Sequence, residues 1–330
     1  MIRPAGLLLA LALAGCSALA QGSPQGAPIR VEGRALPLDP GDPRRERVGE
    51  LVYAGGLQLS ATGTSSFGGL SGIDVDEGGR FVSQSDTGAL VRGRLRLDGA
   101  GRLAGVDDAT LQLLTREDGS AFGRKMDADA EDVTLTPGGY AISFEQDHRV
   151  ERFRDGVRGS VGQTTPPELQ KRPRNAGLEA LAWRDGRFYE GAEDGEIWRC
   201  DGEPGGSCAS VMATSPFAGF KLTGLDAAGR GFVAVYRAVD ALNGWRAIVA
   251  WLEPASADGS GPWRARKLAE LGRPLTRDNM EGIAAVPHAD GRGFRLYLVS
   301  DDNFYSFQRT LLLAFDWAGP PPLPAGAPAR

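Results

Sequence analysis

Histidine is nearly absent from this chain: His148 and His288 are the two in 330 residues. Cysteine is as scarce, at three. Zinc sites draw on these side chains above all, and neither recurs here at ligand spacing. No Gly-x-Ser-x-Gly elbow occurs. With so few histidines, a Ser-His-Asp relay and true carboxylesterase chemistry have no support. Positive charge is not in excess either: 37 Lys+Arg face 42 Asp+Glu, giving a formal charge of -5 and a pI near 5.3. A primary role in nucleic-acid binding needs a basic face for the phosphates and is set aside. No stretch of about 12 residues carries helical periodicity. The apolar run Leu7–Leu13 is far short of the roughly 20 residues that span a bilayer.

What is plentiful is glycine, at 47, and proline, at 21. Many short strands joined by tight turns would use both. A loose repeat organises the chain. Its five openings are Ser71-Gly72-Ile73, Glu131-Asp132-Val133, Glu179-Ala180-Leu181, Thr223-Gly224-Leu225 and Glu281-Gly282-Ile283. Each is followed by a Gly-containing turn and an apolar strand such as Phe232-Val233-Ala234-Val235. The openings are 60, 48, 44 and 58 residues apart, and two of these intervals match the roughly 40–50 residues of a propeller blade. The expectation is an all-β, five-bladed β-propeller. A six-bladed ring is the alternative, because the first interval is long. Only residues 115–129 are left over there, too few for another sheet. The last repeat has three strands, so the extended segment Glu50–Ala61 is expected to supply the fourth and close the ring.

First strands line the channel of a propeller, so Ser71, Glu131, Glu179, Thr223 and Glu281 are expected to form an inner ring. Three facing carboxylates repel unless something neutralises them. Calcium fits best, because it takes 6–8 oxygen ligands in loose geometry. The alternative is that these side chains only hydrogen-bond strand-start backbone. A second ring comes about 14 residues later: Asp86, Glu145, Glu193, Arg237, and in the last unit Asp301 and Asp302. Both rings should open on one face, with His148, Arg149 and Arg309 leaning over the mouth. Such a mixed set can grip phosphate oxygens through arginine and hold a second divalent ion or activate water through its acids.

The ends carry other signals. Leu13-Ala14-Gly15-Cys16 resembles the bacterial lipobox, which implies a signal peptide over 1–15 and lipidation of Cys16. A plain signal peptide cut near Ala18–Ala20 is the alternative. Ser17, not Asp, follows the Cys, which by that resemblance implies a periplasm-facing outer-membrane lipoprotein. A secreted or soluble periplasmic protein is the alternative. Residues 16–49 read as a flexible tether, 50–318 as one propeller domain and 319–330 as a Pro/Ala-rich tail. In an oxidising compartment Cys200 and Cys208 are expected to pair. A monomer is expected, touching membrane only through its anchor.

Several blocks resemble the phytase-like family described as having esterase-like activity of phytase. They are Phe67 to Ile73 with Ser85-Asp86-Thr87-Gly88, Gly138 to Arg149, Asn175 to Ala182, and Asn279-Met280-Glu281-Gly282-Ile283 with Ser300 to Phe304 and Gln308-Arg309-Thr310. The resemblance implies phosphoester hydrolysis in the cell envelope. The ring of Glu with Ser and Thr is more distantly similar to that of calcium-activated nucleotidase propellers. The two functions to separate are therefore a calcium-dependent phosphate-ester hydrolase acting on an anionic small molecule and a non-catalytic envelope module that calcium holds together.

Overall fold

A computed structural model describes residues 26–157, 159–164, 169–174, 176–202, 207–256 and 260–320. The lipobox with Cys16, the signal peptide and residues 321–330 of the tail lie outside the described residues.

Five antiparallel sheets form a ring in which each innermost strand neighbours the next and the last neighbours the first. The innermost strands are Leu70–Val75, Ala130–Thr136, Leu178–Arg184, Lys221–Ala228 and Asn279–Pro287. The chain is therefore a five-bladed β-propeller, and the six-bladed alternative is excluded. Helix among the described residues is limited to two short 3-10 turns, Lys125–Asp127 and Leu169–Lys171. The first of these occupies the long interval between the first two units. Tight turns join the strands, as at Asp185 and Gly186, where φ is 51° and 79°, the left-handed pair a two-residue hairpin demands.

Apolar residues explain the ring. Five buried clusters fill the five junctions between blades. Successive side chains of a strand point to opposite faces, so each strand feeds two junctions. In the fifth blade Leu296 and Leu298 pack toward the fourth blade, while Tyr297 packs toward the first. Ile283 and Ala284 divide in the same way. Strands buried on both faces read as continuous apolar runs, which accounts for Phe232–Val235.

The fifth blade takes Leu51–Thr62 as its fourth strand, paired with Leu311–Trp317. Closure thus joins both ends of the propeller. The expected tether is corrected here. Arg30–Ala35 forms a further strand on Leu51–Thr62, and Ala27–Pro28 pairs with Leu111 and Thr110 at the outer edge of the first blade. The segment from residue 26 onward is therefore part of the fold. It straps the junction of blades one and five and covers two outer edges that would otherwise offer unpaired backbone. Cys200 and Cys208 are opposite one another on paired strands of the third blade and form a disulfide.

Candidate functional site

The five ring residues share one local feature. In every blade the register between first and second strands slips at one position. The residue left out of pairing is Ser71, Glu131, Glu179, Thr223 or Glu281. A bulge bends the strand and re-aims the extra side chain, here toward the channel. The small residues that follow have a packing cause. A Cβ on Gly72 would stand 2.5 Å from Asp132 Oδ1, and one on Gly282 would stand 2.8 Å from the Gly72 Cα. The bulged strands approach too closely for side chains there.

Above this ring lies a cavity of about 240 Å³. Its lining holds eight carboxylates: Asp86, Asp129, Glu131, Glu145, Glu179, Glu193, Glu281 and Asp301. Arg237 is the one guanidinium among them, and Ser71 and Asn303 complete the wall. Arg237 Nη1 lies 3.1 Å from Glu281 Oε1 and donates to Asn279 Oδ1 at 2.8 Å. Asn279 Nδ2 donates to Glu281 at 2.8 Å. Two lysines close the rim: Lys125 pairs with Asp86 and Lys221 with Glu193, both at 2.7 Å. Oxygens of Asp129, Glu131 and Glu145 lie within 4.8 Å of one another. Thr223 Oγ1 is turned to the Met280 carbonyl at 3.4 Å and does not line the cavity.

The electrostatics follow from this crowding. Burial, then repulsion from Glu179 and Glu281, pushes the Glu131 carboxyl well above its ordinary range. Burial raises Glu179 similarly, with Arg237 opposing. Glu145 is pushed up to about 7 by burial and by Asp129 and Glu193. Asp301 is pushed up to about 8 by burial and by Glu281. Acids so placed hold protons unless a cation replaces them. The donors are carboxylates with a hydroxyl and an amide, without imidazole or thiolate. That set fits a hard divalent cation and does not fit zinc.

Four residues expected at the mouth do not line the cavity. His148, with φ 33°, is buried, and its Nε2 is 3.1 Å from the Pro173 carbonyl. Arg149 is buried in an ion pair with Glu151 at 2.6 Å and covers the Phe144 ring. Arg309 pairs with Asp278 at 3.2 Å and donates to the Arg277 carbonyl. Asp302 accepts from Gly69 N, Phe304 N and Thr310 Oγ1 and so fastens a loop. Asp86, Glu145, Glu193, Arg237 and Asp301 line the cavity together with Ser71, Glu131, Glu179 and Glu281.

Sequence reasoning missed Asp129, which stands just ahead of the strand Ala130–Thr136 and lines the cavity beside Glu131. It also missed Asp74, Asp132 and Asp226. These acids accept backbone N–H groups of other blades: Asp74 from Leu135 at 2.6 Å, Asp132 from Leu181 at 2.8 Å and Leu225 at 3.3 Å, Asp226 from Ala285 at 2.7 Å. First strands have no partner on their channel side, so their N–H groups need such acceptors. The visible signal was an Asp three residues after Ser71 and after Thr223.

Among solved structures, the Myxococcus xanthus glutaminyl cyclase is 13% identical, with a TM-score of 0.43, over 77% of this chain and 93% of that one. The β-propeller domain of Myceliophteria thermophila Cps50 (Swd1) is 11% identical, with a TM-score of 0.39, over 77% of this chain and 98% of that one. No curated protein matches the chain. The phytase-like family model, described as esterase-like activity of phytase, matches residues 65–304, a span that contains the four main strands of each of the first four blades, the first two strands of the fifth and every residue of the acidic cavity. The chain belongs to the phytase-like family.

Proposed function

We propose that the protein is a calcium-dependent hydrolase of phosphate esters in the bacterial cell envelope, with its substrate bound at the acidic cavity. The observation that carries this reading is the convergence of eight carboxylates and one arginine on a single cavity in a member of a family described by esterase-like activity. Glu131, Glu179, Glu281 and Ser71 would hold one calcium ion, and Asp129 with Glu145 would help to hold a second. A divalent cation there supplies polarisation of a phosphoryl oxygen and offsets the acids' repulsion.

The chain's own groups have separate tasks. Arg237 Nε is buried and has no hydrogen-bond partner among the described residues, which leaves it free to donate to a phosphate oxygen. Asn279 holds Arg237 and Glu281 in place through its two hydrogen bonds. Glu145 takes the proton from the attacking water. Its carboxylate accepts from neutral Gln146 at 3.1 Å, whereas Asp86 is tied to Lys125. The envelope address rests on Leu13-Ala14-Gly15-Cys16. A Cys16→Ser variant should leave the membrane fraction.

The test is a panel of phosphomonoesters, phosphodiesters, phytate and nucleotides with calcium present, repeated on Glu145→Gln and Arg237→Gln. Turnover that both substitutions abolish supports the assignment. Turnover that survives both unchanged rejects this cavity as the catalytic site. No turnover by folded, calcium-loaded protein selects the other reading, a calcium-stabilised binding module.

A further inference from the structure

The aromatic residues are unevenly exposed. The chain has 6 Trp, 6 Tyr and 13 Phe. Among the described residues the exposed ones are Phe304 at 43%, Tyr305 at 56% and Phe307 at 78%. All three sit in the one loop that leaves the second strand of the fifth blade. The same loop begins with Asp301 and includes Asn303, which line the acidic cavity. Polar lining and apolar rim are thus consecutive in sequence.

This loop is braced. The Asp302 carboxylate accepts from Gly69 N at 2.8 Å, Phe304 N at 3.1 Å and Thr310 Oγ1 at 2.8 Å. Tyr305 N donates to the Asp302 carbonyl at 2.8 Å, and Gln308 N to the Tyr305 carbonyl at 3.1 Å. Phe304 lies against the glycines before Ser71: a Cβ on Gly69 would stand 2.6 Å from its ring. Tyr305 and Phe307 stack on each other, centroids 5.1 Å apart and planes 11° from parallel. Burying a ring of this size is worth about 1.5–3 kcal/mol, and this chain buries or half-buries its other aromatics. Three rings held in water on a fixed turn point to a ligand.

The size of the cavity says which part of a ligand they meet. At about 240 Å³ it is below the roughly 300–1,000 Å³ of a whole small-molecule site. Only a head group enters, so the remainder of a substrate lies on the rim. Elsewhere the rim is built of ion pairs, Lys125 with Asp86 and Lys221 with Glu193. The Phe304–Phe307 loop is its apolar sector, and its stacked pair offers flat faces.

We infer that Phe304, Tyr305 and Phe307 form a subsite for a planar ring, so that the preferred phosphate esters are those whose alcohol part is aromatic or heteroaromatic. This rests on the proposed hydrolase only for the position of the phosphate. The ring itself contacts no cavity acid, and its recognition is by stacking.

The test compares full-length protein with Tyr305→Ser/Phe307→Ser, both checked for an unchanged melting transition. Titration calorimetry in calcium reads the affinity of phenyl phosphate relative to glycerol phosphate. The double substitution should lower that ratio about tenfold, the equivalent of roughly 1.4 kcal/mol. A ratio that does not change overturns the subsite. If neither phosphate compound binds the parent protein, the hydrolase reading fails and the subsite is judged on an uncharged ring. Saturation-transfer NMR with indole, in calcium-free buffer, should then give a signal that the double variant loses. No signal from the parent protein, or a signal the variant keeps, overturns it. Sedimentation with phosphatidylglycerol vesicles that depends on Tyr305 and Phe307, beside an unchanged ratio, assigns the loop to a membrane surface instead.

Discussion

Arg237 and Glu281 meet at 3.1 Å, the one guanidinium–carboxylate contact among residues lining the acidic cavity. Glu179 also gains from this guanidinium, which opposes the burial that lifts its carboxyl. Arg237 is thus an internal counter-ion that a bound cation would partly duplicate. Arg237→Gln should destabilise calcium-free protein by about 3–5 kcal/mol, as breaking a buried pair does. Saturating calcium should recover much of that loss. Urea unfolding with EDTA and with calcium measures both. An equal loss in the two conditions would mean that the cation does not sit where Arg237 acts.

Asp74 gives a pH dependence set apart from the cavity. Burial lifts its carboxyl to about 6, and Asp226 faces it with a carboxyl that burial and Asp74 push well above its ordinary range. A carboxyl lifted by folding opposes folding once the unfolded chain has lost its proton. Its cost is absent below about pH 4, grows up to about pH 6 and is complete above that. Two units correspond to about 3 kcal/mol at most. Asp74→Asn keeps an oxygen acceptor for Leu135 N and removes the charge. Its stability relative to the parent should rise between pH 4 and pH 7. A flat difference across that range would show Asp74 to be compensated by other groups.

Much of the fold was legible because turns and apolar strands recur along the chain at blade-like intervals. The ring positions were legible for the same reason, as the first residues of repeated units. Bulges were not, because a one-residue slip in pairing leaves no mark on composition. His148, Arg149 and Arg309 were misplaced because spacing after Glu145 and Asp301 says nothing about which face a turn will present. Arg149 starts a strand and turns its guanidinium onto the Phe144 ring. Residues 26–48 misled for a chemical reason. An outer strand such as Arg30–Ala35, exposed at five of six positions, has the polar composition of a linker.

The Cys200–Cys208 disulfide spans a sequence separation of 8. A loop this short limits its effect on the unfolded chain to about 2.5 kcal/mol. Cys200→Ser/Cys208→Ser should therefore fold and lower the melting temperature by a few degrees, with calcium binding unaltered. Failure of the variant to fold would assign the bridge a larger role than loop closure.

Calcium itself should stabilise the folded chain by mass action, since the ring exists only when five blades are assembled. At a free concentration about 100 times the dissociation constant, linkage gives roughly 2.7 kcal/mol. Glu281→Gln and Glu179→Gln each remove a charge from the cavity wall, so both should weaken the rise in melting temperature with calcium. Glu179→Gln should also raise stability in EDTA, because it relieves repulsion among buried acids, whereas Glu281→Gln breaks the ion pair with Arg237 and should lower it. Opposite signs in the two conditions are what a metal-holding Glu179 predicts. A carboxylate that only hydrogen-bonds the strand starts predicts a loss in both. Calorimetric scans of the parent and the two variants, with bound calcium measured on each sample, distinguish these outcomes. Scans that do not move with calcium in protein shown to be metal-free would reject the ring as a cation site.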